Sequence, residues 1–171
     1  MLAPRYRVLP RVAAAVSAQI REHPACEDFY GPGRSEATLL WRTGPLWMRA
    51  LADRIPDHEG APLFDLKTTG ISAAPEDFTR TQAAFYSRGA AALLPGPKRE
   101  FRFIAFETAP PYAISVLTVG ESLMEIAERE IKRATIAWAR GVSAGDWPGY
   151  TPDLIGVEAP VHLLAKMETL T

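Results

Sequence analysis

Residues 46–69 read LWMRALADRIPDHEGAPLFDLKTT, and this stretch decides the fold. Leu46, Met48, Ala50 and Ala52 alternate with Trp47, Arg49, Leu51 and Asp53. That two-residue period predicts a β-strand over 46–55. PDHEGA, over 56–61, is a polar turn, and PLFDLKT, over 62–68, is a further short strand. Upstream, EATLLWR over 36–42 is a strand that the Thr43-Gly44-Pro45 turn joins to the next. Three strands with short turns make an antiparallel meander. In such a hairpin Asp53 and Asp65 fall side by side. Asp65 and Lys67, at i and i+2, share a face. Two carboxylates and one ammonium thus converge on one spot. Hard cations such as Mg²⁺ use one or two carboxylates together with substrate phosphates. A metal there lowers the pKa of its water and polarises a phosphoryl oxygen. The lysine can orient or deprotonate that water, or stabilise charge on the phosphate. The backbone carbonyl of Leu66, between the pair, is a further candidate ligand. A lone D-x-K triplet is most often a surface ion pair, so the weight rests on Asp53 and on the polar residues of the next helix.

Outward from this core, Val12, Val16 and Ile20 mark one face of a helix over 8–22, and His23-Pro24 ends it. Residues 26–33 form a loop. A helix from Pro75 to about position 94 comes after the third strand, with proline and acids in its first turn. Pro95-Gly96-Pro97 stops it. Strands over 100–108 and 112–119 flank the Pro110-Pro111 turn, and a long helix covers 120–140. Residues 147–150 turn, and the tail to 171 is irregular. The order αβββαββα predicts an α/β (α+β) domain with a central mixed sheet, an antiparallel meander and flanking helices. In the helix after the D-x-K strand, Gln82 and Tyr86 stand at i and i+4 on one face. They could meet a phosphate or position water, or simply be a half-buried tyrosine and a solvated glutamine. Arg80, Arg88, Lys98, Arg99 and Arg102 add positive charge after the proposed site, either for a DNA backbone or as ordinary solvated residues.

At 171 residues, 47% of them hydrophobic, the chain is read as a single domain over 1–171 with a real core. Charged residues are 23%, and 19 basic against 20 acidic residues leave a net charge of -1. This excludes a broad DNA-coating surface but not a local basic groove. The single cysteine, Cys26, excludes an internal disulfide and a multi-cysteine zinc site. No apolar run approaches the roughly 18 residues of a membrane span. The Arg-bearing N-terminus is interrupted by Pro10 and Arg11, so it reads as an amphipathic helix rather than an export signal. A cytoplasmic location with no membrane partner is expected. His58 is expected to be solvated and His162 structural. Trp41, Trp47 and Trp138 are assigned to the core, and Trp147 to packing under the C-terminal turn.

Taken together, ALADRIPDHEGAPLFDLKTTG over 50–70 and FTRTQAAFY over 78–86 resemble the PD-(D/E)XK nuclease superfamily. The resemblance is strongest to the exonuclease VIII (RecE) type, related to phage lambda exonuclease. It rests on Asp53-Arg54-Ile55, on Asp65-Leu66-Lys67-Thr68-Thr69 and on Gln82…Tyr86. The strand at 101–105, the Pro111-Tyr112 turn and Trp147-Pro148-Gly149-Tyr150 add to it, so that it covers about 12–150. It implies a restriction-endonuclease-like core in which Asp53 and Asp65 ligate the metal and Lys67 is the catalytic lysine. Gln82 and Tyr86 would be accessory residues near water and phosphate. It further implies Mg²⁺, with Mn²⁺ as a substitute, and phosphodiester hydrolysis from double-stranded DNA ends in phage-type recombination. A single-strand annealing protein would be the partner, and a ring-shaped homo-oligomer the assembly. Relatives often carry another acidic residue, sometimes with histidine, on a helix before the first strand. Glu22, His23, Glu27 and Asp28 do not match that setting, so a nuclease core lacking this helix is expected. Two alternatives stand beside the nuclease: an inactive DNA-binding relative of the same fold, and an unrelated α/β domain whose D-x-K is a surface ion pair.

Overall fold

A computed structural model describes residues 10–69, 80–147, 149 and 156. The chain order is α1 (Pro10–Glu22), a 3-10 turn (Pro24–Cys26), β1 (Gly33–Thr43), β2 (Leu46–Pro56), β3 (Leu63–Thr69), α2 (Arg80–Leu93), β4 (Phe101–Glu107), β5 (Ile114–Thr118) and α3 (Glu121–Ala144). The strands form one sheet in the order β1-β2-β3-β4-β5. β1, β2 and β3 are antiparallel, β3 and β4 are parallel, and β4 and β5 are antiparallel. The predicted meander and mixed sheet are therefore present. The parallel step arises because α2 lies between β3 and β4 and carries the chain back to the starting edge.

Side-chain alternation divides the sheet into two faces. Leu63, Phe101 and Phe103 pack with Ala83 and Ala90 of α2. Their neighbours Phe64, Ile104 and Phe106 pack with Val12, Val16 and Ile20 of α1. The spacing that predicted α1 thus corresponds to its buried stripe. Ala127 and Ile131 of α3 close on Ala84, so α3 rests on α2. Cys26 is buried beside α1, and burial pushes its thiol up to about 11. Since the thiolate is the reactive form, burial and this shift both disfavour reaction at Cys26.

Trp41 is core, as expected, but Trp47 and Trp138 are not: they are 63% and 57% exposed. Trp41 packs on Phe85 with ring centroids 4.9 Å apart, directly under Gly89 of α2. A Cβ at Gly89 would stand 2.7 Å from Trp41 Cζ3. Gly89→Ala gains about 1 kcal/mol of helix propensity but overpacks the core at about 1–3 kcal/mol. The expected outcome is a melting temperature lower by a few degrees, on the order given by the size scaling. A rise on thermal unfolding would show that Trp41 has room to give.

The last helix runs past its predicted end near 140 to Ala144, where Gly145 closes it in the left-handed conformation (φ 65°). Gly141 is inside the helix, and Trp147 lies against it: an added Cβ would be 2.6 Å from the indole. Trp147 therefore packs on α3 and on Trp138 rather than under a turn. The expected helix start at 75–79, the tail and His162 lie outside the described residues. No helix among the described residues is long and apolar enough to cross a membrane.

Candidate active site

Asp65 is on the α2 side of β3, next to Leu63, and is only 3% exposed. Its Oδ1 accepts a hydrogen bond from Gln82 Nε2 at 2.8 Å. Lys67 Nζ stands 2.6 Å from its Oδ2. The two residues share a face because they are two apart on a strand, and Gln82 reaches them because α2 lies across that face. Lys67 is a third exposed and passes over the Phe103 ring, 5.8 Å from its centroid. It sits at the mouth of the site and Asp65 at its floor.

Asp53 arrives by a different route from simple hairpin pairing. β2 and β3 pair at Arg54↔Phe64. One step further would set Asp53 opposite Asp65, but there the strands part. The Asp53 carboxylate fills the gap instead, with Oδ2 accepting the Leu66 N–H at 2.7 Å. The face alternation of β2 also slips here: Ala50 and Ala52 join the core under α2, and so does Ile55. Opposite the slip, Glu36 has a left-handed backbone (φ 50°), and the pairing skips from Ser35↔Arg54 to Ala37↔Ala52. Arg54 fixes this end of β2, donating to the carbonyls of Phe29 and Gly31 and to the Ser35 hydroxyl.

The electrostatics follow from this packing. Burial raises the Asp65 carboxyl above its ordinary pKa. Lys67 and Gln82 pull it down, and the charge of Asp53 pushes it up. Asp65 Oδ2 is buried and accepts no hydrogen bond, although Lys67 is close. The ammonium is its charge partner at 2.6 Å, and because a carboxylate oxygen carries two lone pairs, one remains for a further ligand. A buried carboxylate oxygen with no hydrogen bond, next to a second carboxylate, fits a hard divalent cation. A strand residue turns its N–H and C=O to the same side, as in antiparallel pairs that exchange both bonds. With its N–H on Asp53, the Leu66 carbonyl also opens into the gap. Among the described residues no group of three or more His, Cys, Asp or Glu side chains could hold a metal; of these residues, the further ligand candidate is this carbonyl, beside water or phosphate.

The structure thus brings together Asp53, Asp65, Leu66, Lys67 and Gln82. Tyr86 has a different place. Its ring meets Phe101 edge-on, 5.7 Å between centroids, and holds α2 to β4. The cations expected to serve a DNA backbone are largely engaged. Arg88 pairs with Glu128 on α3. Arg102 pairs with Glu100 and donates to the Ala25 carbonyl. Arg99 is buried and donates to the Pro56 carbonyl at 2.7 Å. His58 is exposed. Gln82→Ala removes the hydrogen bond that orients Asp65. Outer partners of metal ligands are typically worth about 10–100-fold in metal affinity or activity. If the site is a metal-dependent nuclease centre, the expected outcome is a loss of that order in Mg²⁺-dependent DNA cleavage, with a melting temperature lower by a few degrees because the buried Asp65 Oδ1 loses its donor. Wild-type rates in the variant would mean that the site does not depend on this bond.

No family model matches the chain, and no curated protein does. Its fold is similar to that of a solved structure from Eubacterium rectale described as a candidate exonuclease, with a TM-score of 0.64 at 13% sequence identity. The match covers 90% of this chain and 64% of the other, so this chain spans less than two thirds of that protein's length. At this identity the likeness establishes the class of fold, an α+β domain with a five-stranded mixed sheet and, among the described residues, three flanking α-helices.

Proposed function

We propose that this domain is a metal-dependent DNA nuclease of the PD-(D/E)XK kind, hydrolysing phosphodiester bonds at double-stranded ends as RecE-like exonucleases do. The observation that carries the reading is the convergence of Asp53, Asp65 and Lys67 at the point where β2 and β3 part, with Gln82 oriented onto Asp65. The likeness to the Eubacterium rectale protein supports it. Asp53, Asp65 and the Leu66 carbonyl would hold Mg²⁺ or Mn²⁺. Bound there, the ion supplies Lewis-acid polarisation and a water of lowered pKa. The chain's own groups do the rest. Leu66 N–H and Gln82 fix the two carboxylates before substrate arrives. Lys67, at the mouth, offers its ammonium to the phosphoryl oxygens, where negative charge builds as the bond to the leaving sugar oxygen breaks. Tyr86 is a positioning residue, keeping α2, and with it Gln82, against the sheet. On the same reading, the assembly is a ring of copies around DNA that works with a single-strand annealing protein.

The test is digestion of linear and covalently closed circular duplex DNA of the same sequence, in Mg²⁺ and in EDTA. The expected result is Mg²⁺-dependent loss of the linear form alone. Cleavage of both forms would make the enzyme an endonuclease. Binding of duplex DNA without digestion would identify a non-catalytic relative of the fold and overturn the proposal.

A further inference from the structure

A cavity of about 500 Å³ lies where the starts of β4 and α3 meet the end of β5 and the middle of α2. Ser87 of α2 and Arg99, just ahead of β4, line it and are only 4% and 7% exposed. Among the described residues, three buried side-chain polar atoms have no hydrogen-bond partner: Asp65 Oδ2, Ser87 Oγ and Arg99 Nε. The first belongs to the candidate active site. The other two sit on residues of this one cavity. A buried donor without an acceptor is costly, so two on one lining call for an explanation. Arg99 is not simply loose: its Nη1 donates to the Pro56 carbonyl at 2.7 Å, which anchors the guanidinium while Nε stays unpaired.

The chemistry of these atoms selects the missing partner. Arginine Nε is a donor only, and the guanidinium keeps its charge in proteins. A buried charge is normally paired, yet among the described residues no carboxylate pairs with Arg99. The acids that share the cavity are committed elsewhere. Glu100 is held by Arg102, Glu125 by Arg129 and Glu128 by Arg88, while Glu121 stands on the exposed first turn of α3. Exposed Lys98 adds a second cation to the lining. Gly120 lines the cavity and caps α3 without a side-chain acceptor, so the positive end of the helix dipole adds to the field. What is lacking is an anion. The surrounding glutamates disfavour a dianion such as phosphate. A carboxylate carries one charge and two acceptor oxygens, one for the Arg99 Nε–H and one for the Ser87 hydroxyl. Its two oxygens fill little of the volume, and Phe101, Val119 and Met124 line the cavity with apolar surface for the rest of a ligand.

We propose that this cavity binds a small organic acid by its carboxylate, with Arg99 and Ser87 as the donors. Its lining includes none of Asp53, Asp65, Lys67 or Gln82, so the site is separate from the candidate metal centre and does not rest on the nuclease reading. The test follows proton–nitrogen correlation spectra of the nitrogen-labelled full chain at constant ionic strength while benzoate is added. Benzamide, of the same shape without the charge, and orthophosphate are parallel titrants. The expected result is a saturable shift of the Arg99 Nε–H signal, assigned by its loss in Arg99→Lys, and of the Glu121 amide at millimolar benzoate. Ser87→Ala removes a buried hydroxyl that has no partner, so this variant should fold as the wild type does. It should bind benzoate roughly tenfold more weakly. Benzamide should produce no saturable shift. The absence of a saturable shift with benzoate overturns the proposal, and so does an equal response to benzamide, which would make the charge irrelevant. Tighter binding of orthophosphate than of benzoate overturns the carboxylate assignment. An unchanged benzoate affinity in Ser87→Ala removes the hydroxyl from the site and overturns the proposed pair of donors.

Discussion

Asp65→Asn is expected to abolish Mg²⁺-dependent DNA cleavage while leaving the domain as stable as before or slightly more so. The two halves of this expectation have different causes. Substituting an outer partner of a metal ligand typically costs about 10–100-fold; Asp65 is proposed as the ligand itself, so the loss should exceed about 100-fold. For stability, the relevant fact is that the Asp65 carboxyl is 4% exposed and its pKa is raised, first by burial and then by Asp53. Its charge is disfavoured where it sits. Asparagine keeps the shape and the acceptor for Gln82 Nε2 and removes the charge. Lys67, a third exposed, regains water when its partner is neutralised, so no buried charge is left unpaired. The melting temperature should therefore stay within a few degrees of wild type or rise. Digestion rates within a few-fold of wild type would remove Asp65 from the reaction. Lost cleavage together with a collapsed fold would make it a structural residue.

The parts of this site that were legible in the sequence are those set by short-range geometry. The two-residue period placed Asp65 and Lys67 on one face, and the polar turn at 56–61 brought Asp53 back beside them. Strict alternation, however, put Asp53 on the opposite face from Ala52. What brings it to Leu66 is the slip opposite Glu36, a backbone feature with no signature in residue type. The cations show the same limit. Lys98-Arg99 reads either as a DNA-backbone contact or as solvated, yet Arg99 is buried and donates to the Pro56 carbonyl. The tryptophans show it most clearly. Trp138 is expected in the core and follows Ile131 and Ala134 at helical spacing on one stripe, yet its ring is 57% exposed. Whether that stripe is covered depends on where α2 begins relative to α3, which only the tertiary arrangement sets. Large apolar side chains are usually buried, but the rule runs one way, and at Trp47 and Trp138 it fails. The near-neutral net charge of -1 hides the same kind of detail: acids gather in the first part of α3, and bases along the second part and the β1–β2 hairpin.

Lys67→Met is expected to reduce turnover by about 100- to 1,000-fold while leaving DNA binding nearly unchanged. Methionine retains most of the apolar stem along Phe103 and loses only the ammonium, so the packing of β3 on β4 should survive. The magnitude comes from the proposed role: a preorganised charge at the position where phosphoryl charge develops is worth about two to three orders of magnitude. An ion pair that merely steadied the fold would show in stability: Asp65 is buried, so losing the ammonium leaves its carboxylate unpaired at a cost on the order of 1–3 kcal/mol, which would move the melting temperature without a selective effect on kcat. The measurement is single-turnover cleavage of a linear duplex beside equilibrium binding of the same duplex in EDTA. A fall in rate with binding intact supports the transition-state role, whereas parallel losses in both would assign Lys67 to substrate binding. Lys67→Arg keeps the charge but replaces a compact ammonium with a planar fork, so it should recover only part of the rate. The double variant with Asp65→Asn discriminates further. Groups that act as a unit are strongly non-additive, so combining the two changes should slow cleavage little beyond Asp65→Asn alone. Fully multiplicative losses would mean that Asp65 and Lys67, although 2.6 Å apart, serve separate steps.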